Sequence, residues 1–168
     1  MWYVIQVRTG SEKEIVKQCR TVIPQEILES SFLPYFEEMK RYQGSWHRQK
    51  KLLFPGYVFL ISKDSGVLYQ GLKKVIGLTK LLKTGEQIIA LTEAEKAFLL
   101  KLGGEEQLVK MSTGLMEQDR IVILNGPLKG LEGYIKRIDR HRREACLELP
   151  LFGRMLDTKV GLEIIAKK

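Results

Sequence analysis

The chain has 168 residues, 44% of them hydrophobic, and a formal net charge of +8 with a pI of about 9.5. That is enough for one ordinary domain or two small ones, and too evenly mixed for wholesale disorder. No apolar run approaches the roughly 20 residues that cross a bilayer, and residues 1–8 place no basic leader ahead of a long apolar block. A cytoplasmic location without membrane contact is therefore expected. Cys19 and Cys146 stand far apart and outside any CxxC spacing, which argues against a disulfide framework or a structural zinc site. Cys19 is expected as a small helix residue and Cys146 on a strand face. The basic surplus favours polyanion partners, because Lys and Arg displace condensed counterions from phosphates.

Residues 2–7 are aromatic and β-branched, as a buried strand requires. Ser11-Glu12-Lys13-Glu14 reads as a capping box opening a helix to about Val22, with Ile15, Val16 and Cys19 inward. Pro24 and Ile27-Leu28 suggest a turn beyond it. Residues 32–41 read as a strand, Gln43-Gly44-Ser45 as a hairpin turn, and residues 46–53 as the returning strand. Pro55 and Gly56 fix the entrance to a central strand through residues 57–61. Residues 66–74 suit a short helix, and residues 78–82 and 87–91 short strands. Thr92-Glu93-Ala94-Glu95 is a second capping box, and its helix should end at Gly103-Gly104.

This order predicts an α+β fold, a mostly antiparallel sheet carrying helices, over residues 1–103. Residues 104–114 have the polar composition of a flexible linker. Over residues 115–168, short strands at 120–124, 133–138, 145–149, 154–160 and 162–165 alternate with Gly and Pro, as in a small all-β barrel. Five glycines between 126 and 161, with Pro127 and Pro150, disfavour any helical alternative there.

Several motifs resemble one family in order and along nearly the whole chain. Trp2-Tyr3-Val4 with Gly10 and Glu12-Lys13 is similar to the start of a NusG N-terminal (NGN) domain, and Phe54-Pro55-Gly56-Tyr57-Val58-Phe59 to that family's most specific internal motif. Residues 125–135, from Asn125-Gly126-Pro127 to Ile135, resemble a KOW motif, and Leu151-Phe152-Gly153-Arg154 the family's phenylalanine-glycine-arginine turn. Between Glu37 and Lys51 the chain departs from the housekeeping pattern and looks more like the specialised RfaH and, above all, LoaP branches. LoaP fits better because the KOW consensus is kept. The resemblance implies an NGN domain followed by a KOW barrel, acting as a monomer on transcription and recruited to particular operons to suppress termination. The alternative is a general NusG-like adaptor whose KOW domain binds a ribosomal protein or a termination factor.

Three constellations carry candidate function. The strip Lys40, Arg41, Tyr42, Trp46, His47, Arg48, Lys50 and Lys51 holds five Lys or Arg and no acid over residues 40–51. Cations track a phosphate backbone while rings stack on bases, and the resemblance places such a hairpin near the non-template DNA strand. A solvated hairpin tip is the bland reading. The second constellation is apolar. The resemblance implies that the NGN domain docks on the clamp of the largest RNA polymerase subunit, with Phe54 and Tyr57 as main contacts and Gln6, Leu68, Tyr69 and Gln70 as lesser ones. Phe54 is expected to be exposed, whereas Tyr57 is as well placed in the core. Alternation puts Val58 and Leu60 opposite Tyr57 and Phe59, with one pair in the core.

The third constellation lies in the barrel: Lys129, Lys136, Arg137, Arg140, His141, Arg142 and Arg143, extended by Arg154 and Lys159. From 129 to 143, six Lys or Arg stand against two acids, Glu132 and Asp139. Arg grips phosphates bidentately and stacks on flipped bases, which suits an RNA hairpin. A soluble loop or a protein-facing surface is the alternative. No P-loop, dinucleotide fingerprint, nucleophile–base pair or metal-ligand spacing is present in the sequence, so no enzyme, cofactor or metal is expected.

Overall fold

The computed structural model describes residues 1–78 and 88–168. They divide into two compact units, Met1–Leu33 with Phe54–Lys96, and Pro34–Leu53 with Ala97–Lys168. The strand expected at 78–82 falls on undescribed residues except for Leu78, which closes a turn onto the Val75 carbonyl.

The first unit holds a four-stranded sheet in the order β2-β5-β1-β6. These strands are β1 (Trp2–Gln6), β2 (Leu28–Phe32), β5 (Tyr57–Ser62) and β6 (Ile89–Ala90). All their pairings are antiparallel. One face packs on helices α1 (Glu12–Val22) and α2 (Ser65–Leu72) through a core of Tyr3, Ile5, Ile15, Val58, Leu60 and Leu68 among others. Cys19 sits in this core, and burial pushes its thiol up to about 11. It therefore stays protonated and unreactive at neutral pH.

The expectation that only one alternating set of β5 would be core is overturned, since Tyr57, Val58, Phe59 and Leu60 are all buried. Phe59 stacks on Phe32 at 5.5 Å and lies 5.8 Å from Phe54, while Trp2 meets Phe32 edge-on at 5.0 Å. Phe54 is therefore buried rather than exposed. Its ring joins an aromatic layer on the sheet face opposite the helices, where offset and edge contacts add to area burial.

The two capping boxes behave differently. Thr92 and Glu95 form theirs reciprocally, at 2.9 and 3.1 Å, and open α3 (Glu93–Gly103). Thr92→Ala is expected to lower stability by about 1 kcal/mol, read as the shift in urea midpoint at unchanged slope. Ser11 makes no side-chain cap, because its hydroxyl donates backwards to the Arg8 carbonyl at 2.6 Å. Glu12 does not cap the helix either, but binds amides outside it. Its buried carboxylate accepts from the Gly10 amide at 2.7 Å and from the Gly56 amide at 2.8 Å.

The second unit holds β3 (Tyr35–Tyr42) and β4 (Ser45–Leu52), β7 (Leu108–Val109), β8 (Ser112–Glu117), β9 (Arg120–Asn125), β10 (Ile135–Asp139), β11 (Glu144–Leu151) and β12 (Arg154–Lys167). The strand expected at 32–41 is broken by Leu33-Pro34, so that Phe32 ends β2 and Tyr35 opens β3; Pro34 has no N–H to give a ladder. Strands β3 and β4 meet through Gln43-Gly44, both at positive φ, a two-residue hairpin turn of the kind that matches strand twist.

Residues 104–114 do not form the linker their composition suggests. Leu108–Val109 pairs in parallel with Tyr35-Phe36, and from Ser112 the chain is strand β8. A second sheet runs β10-β11-β12-β8-β9. The two short strands expected at 154–160 and 162–165 are one strand, β12, whose first half pairs antiparallel with β11 and second half parallel with β8. Leu128, Leu147, Leu149 and Leu162 fill the core of this all-β segment. Gly126 lies at φ +106, and a Cβ there would stand 2.6 Å from Ser112 Cα. The turn that resembles a KOW motif therefore needs glycine for both backbone angle and room.

Candidate nucleic-acid interface

The hairpin β3–β4 pairs Lys40 with His47 and Arg41 with Trp46. Opposite residues share a face of the ladder, so Arg41 and Trp46 lie on one side. His47 and Tyr42 lie on the other, stacked at 3.7 Å between ring centroids. Lys50 sits over the Tyr35 ring at 4.5 Å, Arg48 pairs with Glu37 at 3.7 Å, and Lys51 pairs with Glu38 at 3.2 Å. Lys40 and Arg41 are exposed and make no ion pair with any described residue.

The turn at residues 140–143 joins β10 to β11, whose last pairs are Ile138 with Ala145 and Asp139 with Glu144. Asp139 accepts from the Arg142 amide at 3.0 Å, and Arg143 takes a positive φ of 55°. This geometry leaves Arg140, His141 and Arg142 exposed. Arg143 turns inward. Its guanidinium lies 4.0 Å over the Trp46 ring centroid and 3.7 Å from Glu163.

The clusters expected to serve two ligands from two domains thus meet within one unit. A groove of about 410 Å³ between them is lined by Phe36, Glu38, Met39, Lys40, Arg41, Trp46 and Lys51 from the hairpin side. His141, Arg142, Glu144 and Lys159 line the other. Five cations face two carboxylates, and both carboxylates are engaged, Glu38 by Lys51 and Glu144 by Lys159 at 3.8 Å.

The remaining sequence candidates are scattered. Lys136 reaches Asp157 at 3.2 Å and Glu148 at 3.3 Å, and these carboxylates hold its ammonium above the usual lysine range. Lys129, Arg137 and Arg154 are exposed away from the groove lining. In the first unit, Gln6 and Gln70 are exposed and Tyr69 is half-buried under Lys73 at 4.7 Å. Phe54, Tyr57 and Leu68 are buried. Sequence reasoning passed over Val67 and Ile76, both exposed apolar residues of this region.

A sequence profile described as Transcription termination factor nusG matches residues 1–100. The chain belongs to the NusG family. It is 25% identical over 184 residues to the transcription termination/antitermination protein NusG of Borreliella burgdorferi, covering 99% of this chain and 97% of that one. It is 26% identical over 170 residues to the protein of the same name from Bacillus subtilis, covering 96% and 94%. A solved structure, "Domain interaction in Thermotoga maritima NusG", matches 97% of this chain and 93% of its own with a TM-score of 0.54 at 22% identity. These comparisons bear out the fold class, an α+β NGN domain followed by an all-β domain. Among the described residues, no helix is long and apolar enough to cross a membrane, and no cluster of three or more His, Cys, Asp or Glu could hold a metal ion.

Proposed function

We propose that this NusG-family protein is an operon-specific processive antitermination factor of the specialised, LoaP-like branch. It holds RNA polymerase through the NGN domain, at residues 1–103, and a hairpin in the nascent transcript through the KOW domain, at residues 115–168. The observation that carries this reading is the 140–143 turn, which holds Arg140 and Arg142 exposed with His141 between them, while Lys129 and Arg137 are exposed elsewhere on the same segment. Among the described residues, Arg142 is the only one of these cations with an ion pair, a loose 3.9 Å contact with Asp139. Arginines held on a turn by its own backbone geometry are positioned to take the phosphates of a folded RNA. Lys136 contributes less in this reading, because a phosphate must displace two carboxylates from it.

For the polymerase clamp, the main contact surface is exposed Gln6 on the sheet face opposite the helices, with Tyr57 and Phe54 buried on that face. Val67, Tyr69 and Gln70 of α2, over buried Leu68, form a lesser one on the helix face. The factor acts by position: docking across the clamp opposes the opening that accompanies release, and RNA binding raises its local concentration at the target operon. In this reading the strip at residues 40–51 runs near the non-template DNA strand.

A gel shift tests this reading, using a leader RNA hairpin from the neighbouring operon against an unstructured RNA of equal length at physiological salt. The hairpin is expected to bind preferentially. Arg140→Glu with Arg142→Glu should weaken it at least tenfold and lower the salt slope by about 2. Equal, weak binding of both RNAs would sink the proposal. The exposed Met155 and Ile165 of the all-β segment would then favour the second reading, an adaptor whose KOW domain binds a protein partner.

A further inference from the structure

The groove between the hairpin and the 140–143 turn has a composition that neither cluster has alone. We infer that it is one composite site for a single-stranded polynucleotide segment, whose phosphates lie along Lys40, Arg41 and Arg142 while a base is taken against Trp46. The inference rests on the nucleic-acid reading of the 140–143 turn and extends it to the hairpin.

Three observations point the same way. The first is the ring. Trp46 is half-buried and lines the groove, and its orientation is fixed by Arg143 at 4.0 Å. Arg143 is in turn tethered by Glu163. A ring held in place loses little freedom when a base stacks on it, and base–aromatic stacking is tolerant of sequence because every base has a π-face. The second is charge. Lys40 and Arg41 have no carboxylate partner among the described residues, while Lys51 and Lys159 neutralise the two acids of the lining. Each of the two lining carboxylates thus already has a cation beside it. The third is size. About 410 Å³ falls in the range of roughly 300–1,000 Å³ typical of small-ligand clefts. That suits an unpaired nucleotide rather than a duplex, whose bases are stacked inside and cannot reach an indole.

A folded RNA on the turn would therefore pass its unpaired flank into the groove. The displaced DNA strand offers the same chemistry, and the two sources are separable. The full-length protein is titrated with a fluorescent RNA hairpin carrying either no tail or a short uridine tail, and separately with oligodeoxythymidylate, all at physiological salt. The tail is expected to raise affinity about tenfold. Trp46→Ala or Arg41→Glu should erase that gain without changing the affinity of the blunt hairpin, and Trp46→Phe should keep most of it. Quenching of Trp46 emission, followed in a Trp2→Phe chain, should accompany tail binding. If oligodeoxythymidylate binds with the same dependence on Trp46 and competes with the tail, the DNA strand uses the site too; if it does not bind, the source is RNA.

A hairpin that binds well but gains nothing from its tail, or a gain that survives both Trp46→Ala and Arg41→Glu, would overturn the composite site. Failure of the blunt hairpin to bind in preference to unstructured RNA would instead count against the proposed function. The two failures are thus distinct.

Discussion

Glu12→Ala is expected to destabilise the first unit by about 3 kcal/mol, far more than its position at the start of a helix suggests. A carboxylate in a first helical turn gains only about 0.3–1 kcal/mol from the helix dipole when exposed. Glu12 is not exposed. It is 3% accessible, and its two oxygens accept from Gly10 at 2.7 Å and Gly56 at 2.8 Å. Hydrogen bonds to a charged group contribute about 1.5–3 kcal/mol, and a buried donor left without an acceptor costs its full desolvation. The Gly56 amide lies on the turn that leads into β5, while Val7, just after β1, donates to the Gly56 carbonyl at 2.7 Å. Glu12 therefore pins the β5 entrance to α1 and helps hold both central strands in register. Urea unfolding followed by Trp2 emission in a Trp46→Phe chain isolates this unit. Glu12→Gln keeps one acceptor oxygen and should recover about half of the loss. A loss under about 1 kcal/mol for Glu12→Ala would mean that water or another acceptor replaces the carboxylate.

The same residue shows where the sequence was legible and where it was not. Both S/T-x-x-E patterns promised a capping box, and both helices form where expected. Only Thr92 and Glu95 exchange hydrogen bonds. At Ser11 the hydroxyl found the nearer Arg8 carbonyl, and a carboxylate one residue along was placed to reach an amide 44 residues away. Local pattern sees the first kind of partner and cannot see the second. Phe54 failed similarly. A proline and glycine after it suggested a loop, hence exposure, but its ring belongs to a layer made with Phe59 and, beyond it, Phe32.

The candidate site was half legible. Charge and aromatic content singled out residues 40–51 and 129–143, and the hairpin turn at Gln43-Gly44 was read from its residue types. Their meeting was invisible, because about a hundred residues separate Trp46 from Arg143. The polar composition of 104–114 then suggested a linker that would hold the clusters apart. In the structure that segment carries β7, paired with the start of β3, and the Met111 amide donates to Glu37 at 2.8 Å. Backbone pairing does not require apolar side chains at every position, so composition alone misjudged it.

One residue in the sequence did mark the meeting. Gly161 interrupts what would otherwise read as a single long strand, and a glycine inside a strand often signals another backbone coming close. Here a Cβ on Gly161 would stand 2.6 Å from the Glu37 carbonyl oxygen of β3, and it would also strike the Met111 sulfur. The thioether can swing aside, but the carbonyl can move only with its strand. Gly161→Val is therefore expected to push the β3–β4 hairpin off β12, with an overpacking cost of about 1–3 kcal/mol, while removing no cation or aromatic ring. The Thr158 hydroxyl that donates to the Leu53 carbonyl would lose its partner in the same displacement. If the groove is one composite site, the affinity gained from a single-stranded tail should fall about tenfold in Gly161→Val, as in Trp46→Ala. Blunt-hairpin affinity should persist, because the 140–143 turn is anchored by β10 and β11. Met111→Ala serves as the control: it relieves the sulfur contact but leaves the carbonyl in place, so it should not rescue Gly161→Val. Rescue by that change, or tail binding unaltered by Gly161→Val, would show that the hairpin and the turn act as separate surfaces.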